Sequence, residues 1–132
     1  MSLTALTDIR KYIISSSAIT SLVPINKVKV GWTKFKDDFP CIILNQTSGT
    51  DYGYLGYGTS TAGSKLRREE FNIQIDIMSK TSRLETIQIA DEVVKVLISG
   101  TCRKESDNDM YDDELGIYRK TQNYSYTKFH ED

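Results

Sequence analysis

The glycine-rich stretch GTSTAGSK, residues 58–65, comes close to a phosphate-binding loop. In that motif a lysine directly follows the second glycine and folds over the terminal phosphates, and the next hydroxyl holds magnesium. Here Ser64 and Lys65 stand in the reverse order, and the following LRREEFNIQIDIM alternates like a strand where the motif needs a helix. Residue order and context therefore argue against nucleotide phosphate chemistry at this loop.

The other residues that commonly do chemistry are isolated from one another. Cys41 and Cys102 have no CxxC spacing and no neighbouring histidine, so we expect two reduced thiols, with Cys41 in the core. His130 is the only histidine and lies near the end of the chain, where we expect a solvated side chain. We therefore predict no catalytic residues, no metal site, no cofactor and no enzymatic activity.

The composition fits one globular domain over residues 1–132, because 39% of the residues are hydrophobic and 27% are charged. The 17 basic and 18 acidic residues give a formal charge of -1, so no global field draws the chain to nucleic acid or anionic membranes. No apolar run approaches the roughly 20 residues that span a bilayer, and the start has no cleavable signal pattern. We expect a soluble protein without an export signal.

The first half of the chain predicts one helix and two strands. Apolar residues at three- and four-residue steps predict an amphipathic helix over residues 3–14, which Pro24 prevents from continuing. KVKVGW, residues 27–32, alternates like a strand with one wet face, and the apolar run CIILNQ, residues 41–46, suits a buried strand.

The second half predicts a strand, a helix and a final strand. The clearest strand is EEFNIQIDIMSK, with Phe71 and three isoleucines on one face and polar residues on the other. Ser82 and Glu85 then form a capping-box signal for a helix that Gly100 ends. Its apolar stripe is predicted at Leu84, Ile87, Ala90, Val94 and Leu97. GIYRKTQNYSYTK, residues 116–128, predicts a last strand whose weak apolar face favours an edge position or a surface covered by a partner.

Three segments are predicted to lack regular structure. Residues 47–68 carry five of the eight glycines and three tyrosines without hydrophobic periodicity, which predicts a long loop, and loops of this length are usually functional or disordered. The polar and acidic residues 103–114 predict an exposed connection, and residues 127–132 a flexible tail. Together the elements predict an α+β fold, with one mainly antiparallel sheet of about four to five strands and two helices packed on one face.

The segment FNIQIDIMSKTSRLETIQIADEVVKVLI, preceded by FPCIILNQ and followed by GIYRKTQNYSY, resembles the tail-terminator and tail-completion proteins of long-tailed bacteriophages. The resemblance covers about residues 3–126 and rests on the F-P-x-I motif, an x-I-x-I-D-I-x-S strand and a helix containing I-A-D-x-V. It implies a ring, commonly a hexamer, that caps the tail tube and joins it to the head connector. The implied partners are further copies of the chain, the tail-tube protein and the head-tail connector, and the implied location is the head-proximal end of the virion tail after assembly in the host cytoplasm.

A ring needs two different contact surfaces on each subunit and no active site. Tyrosine and arginine are favoured in interfaces, so the tyrosines and cations of the long loop and last strand are the predicted contact residues. They are Tyr52, Tyr54, Tyr57, Lys65, Arg67, Arg68, Tyr118, Tyr124 and Tyr126.

Three alternatives stay open at this point. Arg67, Arg68 and the loop tyrosines also suit a small nucleic-acid-binding α+β module, although neither a membrane nor a specific nucleic acid is predicted as a partner. Another neck or head-completion protein of the same particle is compatible with the same fold. The third alternative is a nuclease using Asp76, loop acids and a metal, against the simpler expectation of a solvated or salt-bridged Asp76.

Overall fold

The computed structural model describes residues 4–31, 39–54, 66–99 and 102–131. The described helices are α1 (Thr4–Ile14), α2 (Ser17–Thr20) and α3 (Arg83–Ile98), with one 3-10 turn at Ile25–Lys27. The described strands are β1 (Val28–Val30), β2 (Cys41–Tyr54), β3 (Leu66–Ser79), β4 (Cys102–Asp112) and β5 (Ile117–Glu131).

The strands form one sheet in the order β1-β2-β3-β5-β4. The short β1 pairs with β2 in parallel, and the other three pairs are antiparallel. The predicted α+β class with a mainly antiparallel sheet of four to five strands is confirmed.

The main core lies between the helices and one face of the sheet, which we call the helix face. Every second residue of β3 from Phe71 to Ile77 belongs to it, because side chains alternate between the two faces of a strand. Its sheet members include Ile42, Leu44, Phe71, Ile73, Ile75, Ile77, Tyr124 and Tyr126, and its helix members include Ala5, Leu6, Ile9, Ile13, Ile19, Ile89, Ala90, Val93 and Leu97. A smaller cluster of Cys41, Ile43, Met78 and Ile117, with Phe39 against it, lies on the opposite face.

Helix α3 begins as predicted, with Ser82 as its N-cap accepting a hydrogen bond from the Glu85 amide at 3.2 Å. Part of its predicted apolar stripe is wrong. The buried residues are Thr86, Ile89, Ala90, Val93 and Leu97, whereas Leu84 is 61% exposed. Apolar residues occur on both sides of this helix, so the sheet, and not the helix sequence alone, selects the face that is buried.

The predicted loop over residues 47–68 is wrong at both ends. Strand β2 continues to Tyr54 and β3 begins at Leu66, and their pairing reaches Tyr54 opposite Arg67. Register shifts after Gln46 and after Asp51 break the alternation, which is why no period of two is visible in the sequence. Residues 55–65 lie outside the described part of the chain, so the central prediction for GTSTAGSK lies there too.

Residues 103–114 are exposed, as predicted, but they are mostly strand β4 and not a connection. Because β4 pairs with β5 along its length, β5 is an inner strand, and the edge position predicted for it is wrong. The predicted tail at 127–132 is also wrong up to Glu131, because β5 pairs with β3 as far as Glu131 opposite Leu66. In both segments the strand is formed by backbone hydrogen bonds to a neighbouring strand. The polarity of the side chains does not reveal this pairing.

Candidate functional site

A buried carboxylate lies on the helix-free face of the sheet, at the junction of β3 and β5. Asp76 is 0% exposed although it belongs to the polar side of β3. Its Oδ1 accepts hydrogen bonds from Arg119 Nε at 3.1 Å and Thr121 Oγ1 at 2.7 Å, and its Oδ2 accepts from Gln74 Nε2 at 3.1 Å. The salt-bridge alternative for Asp76 is thus observed, and the solvated one is wrong.

This arrangement holds two strands together and leaves Asp76 poorly suited to proton transfer. The carboxylate is fully buried, so a substrate cannot reach it in this structure. Residues 4–31, 39–54, 66–99 and 102–131 contain no group of three His, Cys, Asp or Glu side chains that could hold a metal ion. We therefore assign the Asp76 cluster a structural role.

A second charged network lies on the helix face where β4 meets β5. Lys120 has a side chain only 12% exposed, and its Nζ lies 3.0 Å from Asp107 Oδ1 and 3.3 Å from Asp109 Oδ1. Burial disfavours the charged form of Asp107, but hydrogen bonds from Lys104 and Lys120 outweigh that effect and lower its pKa. Arg83 of α3 reaches Asp109 at 3.1 Å, so the network also fixes the start of the helix over the edge strand.

The turn between β4 and β5 presents exposed apolar side chains. Asp112 Oδ1 accepts hydrogen bonds from the amides of Glu114 and Leu115 at 3.0 and 3.1 Å, and Gly116 has the positive φ of 65° that the turn requires. The turn therefore has a fixed geometry. It leaves Leu115 exposed by 62%, close in sequence to Met110 and Tyr111, exposed by 57% and 52%. We call residues 110–117 the acidic tip.

A cavity of about 590 Å³ adjoins the acidic tip. Apolar side chains of Met78, Met110, Leu115 and Ile117 line it, with acidic residues and Arg119 at its margin. A cavity with apolar walls and a few charges is the usual form of a site that accepts another molecule's side chains.

Strands β2, β3 and β5 continue together past the end of the core. Phe71 and Tyr126 are the last core residues in this direction, and their rings stack at 6.3 Å. Beyond them lie residues 50–54, 66–70 and 127–131, which we call the three-strand extension. Among its residues whose side chains the structure describes, none belongs to the buried core. The side chains described there are polar and lie partly exposed, so they offer a surface that a partner can contact.

The base of the extension is anchored to α1 and to Phe71. Asp8 accepts hydrogen bonds from Tyr126 Oη at 3.0 Å and from Lys128 Nζ at 2.8 Å. Gly49 lies opposite Phe71, and a Cβ on that glycine would approach the Phe71 ring to 3.2 Å. Any larger residue here would crowd the Phe71 ring, which would have to shift by a few tenths of an ångström.

Two tyrosines predicted as contact residues are core residues instead. Tyr124 is 0% exposed and donates a hydrogen bond to Gln122 Oε1 at 2.7 Å, and Tyr126 is 4% exposed. Burial raises the pKa of Tyr124. Burial, together with the bond to Asp8, raises the pKa of Tyr126. Neither can offer area to a partner, because the helices already cover this face. Tyr118 is half-buried and packs against Tyr111 with 4.7 Å between ring centroids.

Four of the remaining predicted contact residues lie on β2 and β3. Tyr52, Tyr54 and Arg67 have their backbones in the extension, and the half-buried Arg68 lies beside them in β3. Tyr57 and Lys65 lie outside the described residues. The extension thus brings together the backbones of Tyr54 and Arg67, as opposite partners, and separates both from Tyr118 at the far end of the sheet.

The residues predicted from the sequence as contact residues do not include the acidic tip. Met110, Tyr111 and Leu115 are apolar residues inside an acidic segment. Their presence could have indicated a contact surface, because a segment that is only solvated does not need apolar side chains.

No helix in the described part of the chain is long and apolar enough to cross a membrane. No protein-family model and no curated protein sequence matches the chain. Among solved structures, it is similar to a chain in the virion of a native gene transfer agent particle. The two share 8% sequence identity, and the match has a TM-score of 0.69 and covers 90% of each chain. This likeness shows a shared fold.

Proposed function

We propose that this chain is a structural virion assembly protein that forms a ring, commonly a hexamer in the family it resembles, on the end of a phage tail tube and joins it to the head connector. The observation that carries the proposal is the match along 90% of both chains to a protein in the virion of a gene transfer agent particle. The resemblance of its sequence motifs to tail-terminator proteins supports the same function. Another neck or head-completion protein remains the alternative within the same particle.

The three-strand extension supports an assembly role because it has no core of its own in the part that the structure describes. Its tyrosines suit a contact surface, because tyrosine buries a large area at a low cost in side-chain entropy. We assign it the contact with the tail-tube protein, where it covers the surface on which the next tube subunit would otherwise add.

A shortened hairpin tests this assignment. Replacing residues 52–68 by Asn-Gly joins Asp51 to Glu69, which already face each other in the ladder, through a two-residue turn. We expect the shortened chain to unfold cooperatively, because Phe71 and the core remain, and to lose binding to purified tail tubes. A full-length Tyr52→Ser/Tyr54→Ser/Tyr57→Ser variant is the matched control that separates loss of the aromatic rings from loss of the strands.

Two measurements read the outcome: co-sedimentation with tail tubes, and electron microscopy of the purified chain for rings. Binding of the shortened chain at wild-type affinity would remove the extension from the mechanism. A full-length chain that neither forms rings nor binds tubes would overturn the proposed function.

A nucleic-acid-binding module is the second candidate, favoured only by the position of Arg67 and Arg68 on the extension. Phosphate contacts make such binding strongly salt-dependent. Titration of a fluorescent single strand at low salt therefore tests it, and Arg67→Gln/Arg68→Gln would abolish any binding that arises there.

A further inference from the structure

The two edges of the described sheet carry opposite charge. Strand β1 has a neighbour only on the β2 side and β4 only on the β5 side, whereas the three other strands are paired on both sides. A ring or any other head-to-tail assembly joins successive copies through two different surfaces of each copy. Two unlike edges on one sheet meet that requirement.

The edge at β1 is basic and partly apolar. Residues 4–31 contain four basic side chains and one acidic side chain, Asp8, which Lys128 neutralises at 2.8 Å. The basic residues are Arg10, Lys11, Lys27 and Lys29. Three apolar residues are exposed in the same region: Leu22 by 37%, Ile25 by 51% and Val30 by 38%. The Arg10 end of α1 lies beside β1, because the Arg10 guanidinium donates hydrogen bonds to the carbonyls of Val28 and Ile25 at 2.9 and 3.2 Å. We call the surface formed by residues 10–11 and 22–30 the basic edge.

The edge at β4 is acidic and also partly apolar. Asp107 and Asp109 are neutralised within the chain by Lys120, Lys104 and Arg83. The uncompensated charge is concentrated at the acidic tip, where Asp113 and Glu114 are exposed and form no ion pair with any residue of the described ranges. The apolar cavity of about 590 Å³ lies beside them.

Neither edge is well suited to extending the sheet through its backbone. Arg10 Nε donates a hydrogen bond to the Val28 carbonyl of β1 at 2.9 Å. Strand β4 has a register shift between Lys104 and Ser106, and irregularities of this kind twist an edge away from further pairing. Contact at these edges therefore depends on side chains.

We propose that the acidic tip of one copy binds the basic edge of the next copy of this chain. Exposed Leu22 and Ile25 enter the apolar cavity, and Lys11 and Lys27 face Asp113 and Glu114 across its margin. Charge complementarity favours a second copy of this chain as the molecule bound at the acidic tip. Each copy carries both the acidic tip and the oppositely charged basic edge. This inference rests on the proposed ring and names the surfaces that close it.

Charge exchange tests the contact. Lys11→Glu/Lys27→Glu makes both edges acidic, and Asp113→Lys/Glu114→Lys makes both basic, so each variant alone should associate at least about tenfold more weakly than the wild type. An equimolar mixture of the two should regain assembly, because their copies alternate with opposite charges in contact. Sedimentation velocity over a concentration series at low ionic strength measures this, and added salt should weaken the contact.

The control is Gln88→Lys/Asp91→Lys, which changes charge at exposed positions of α3 that belong to neither the basic edge nor the acidic tip, and it should assemble like the wild type. Thermal melts of every variant separate misfolding from lost contact. If both reversed variants assemble like the wild type, these edges do not bind each other, and the proposed ring then forms through other surfaces. If the wild type alone stays monomeric at every concentration and on tail tubes, the proposed function itself fails and this contact with it.

Discussion

Ile75 and Asp76 are neighbours in β3 and both are fully buried, yet the two faces of the strand exclude water by different means. Ile75 packs into the apolar core between sheet and helices. Asp76 lies on the helix-free face, where Arg119, Thr121 and Gln74 satisfy its carboxylate. Apolar burial is non-directional, whereas a buried carboxylate requires particular donors at particular places. The alternation of apolar and polar residues along a strand therefore predicts which face of the sheet a residue lies on, but not whether that face is buried.

The largest effect is expected on the helix face. Ile75→Ala removes a fully buried side chain and leaves a cavity, which should lower the free energy of unfolding by about 3 kcal/mol. Urea denaturation measures the change. Leu84→Ala, at a position 61% exposed on α3, is the control and should change it by less than about 0.5 kcal/mol. Equal effects at the two positions would contradict the assigned core.

An intermediate effect is expected on the opposite face. Asp76→Asn keeps the shape of the side chain but removes the negative charge that Arg119 contacts at 3.0 Å, so we expect a loss of about 2 kcal/mol in the free energy of unfolding. Asp91→Asn, on an exposed position of α3, is the matched control. A stability for Asp76→Asn as high as that of the control would show that the helix-free face does not depend on its buried charge.

The smallest effect on stability is expected at the edge strand β4, where charged side chains lie on the helix face of the sheet. The lowered pKa of Asp107 means that its charged form stabilises the fold above the pKa of the unfolded chain. That stabilisation is lost as the pH falls through the folded pKa. Asp107→Asn should therefore reduce the stability at pH 7 and flatten its decline on acidification. Melting temperatures of both chains across pH 2–7 test this, and parallel curves would contradict it.

The regular core was accessible from the sequence because its spacing repeats. The isoleucines of β3 and the Ser82 cap each depend on neighbours within a few positions, and both were predicted correctly. Strand β4 was missed because an exposed edge strand is held by backbone pairing with β5 and needs no apolar face.

The candidate contact surfaces were predictable only in part. Residue types pointed to tyrosines, but Tyr124 and Tyr126 face α1 and α3 because of the register of β5 against β3, which no local pattern gives. The basic and acidic edges became visible only when the strand order placed β1 and β4 on opposite sides of the sheet.

Cys102 begins β4 opposite Tyr126, and burial raises the pKa of its thiol to about 12. Almost none of it is thiolate at neutral pH, so it resists alkylation and oxidation while the strand pair is closed. In excess reagent, the rate of Cys102 alkylation therefore measures the rate at which this end of the sheet opens. Comparing that rate for single chains and for assembled particles would show how strongly assembly slows local unfolding.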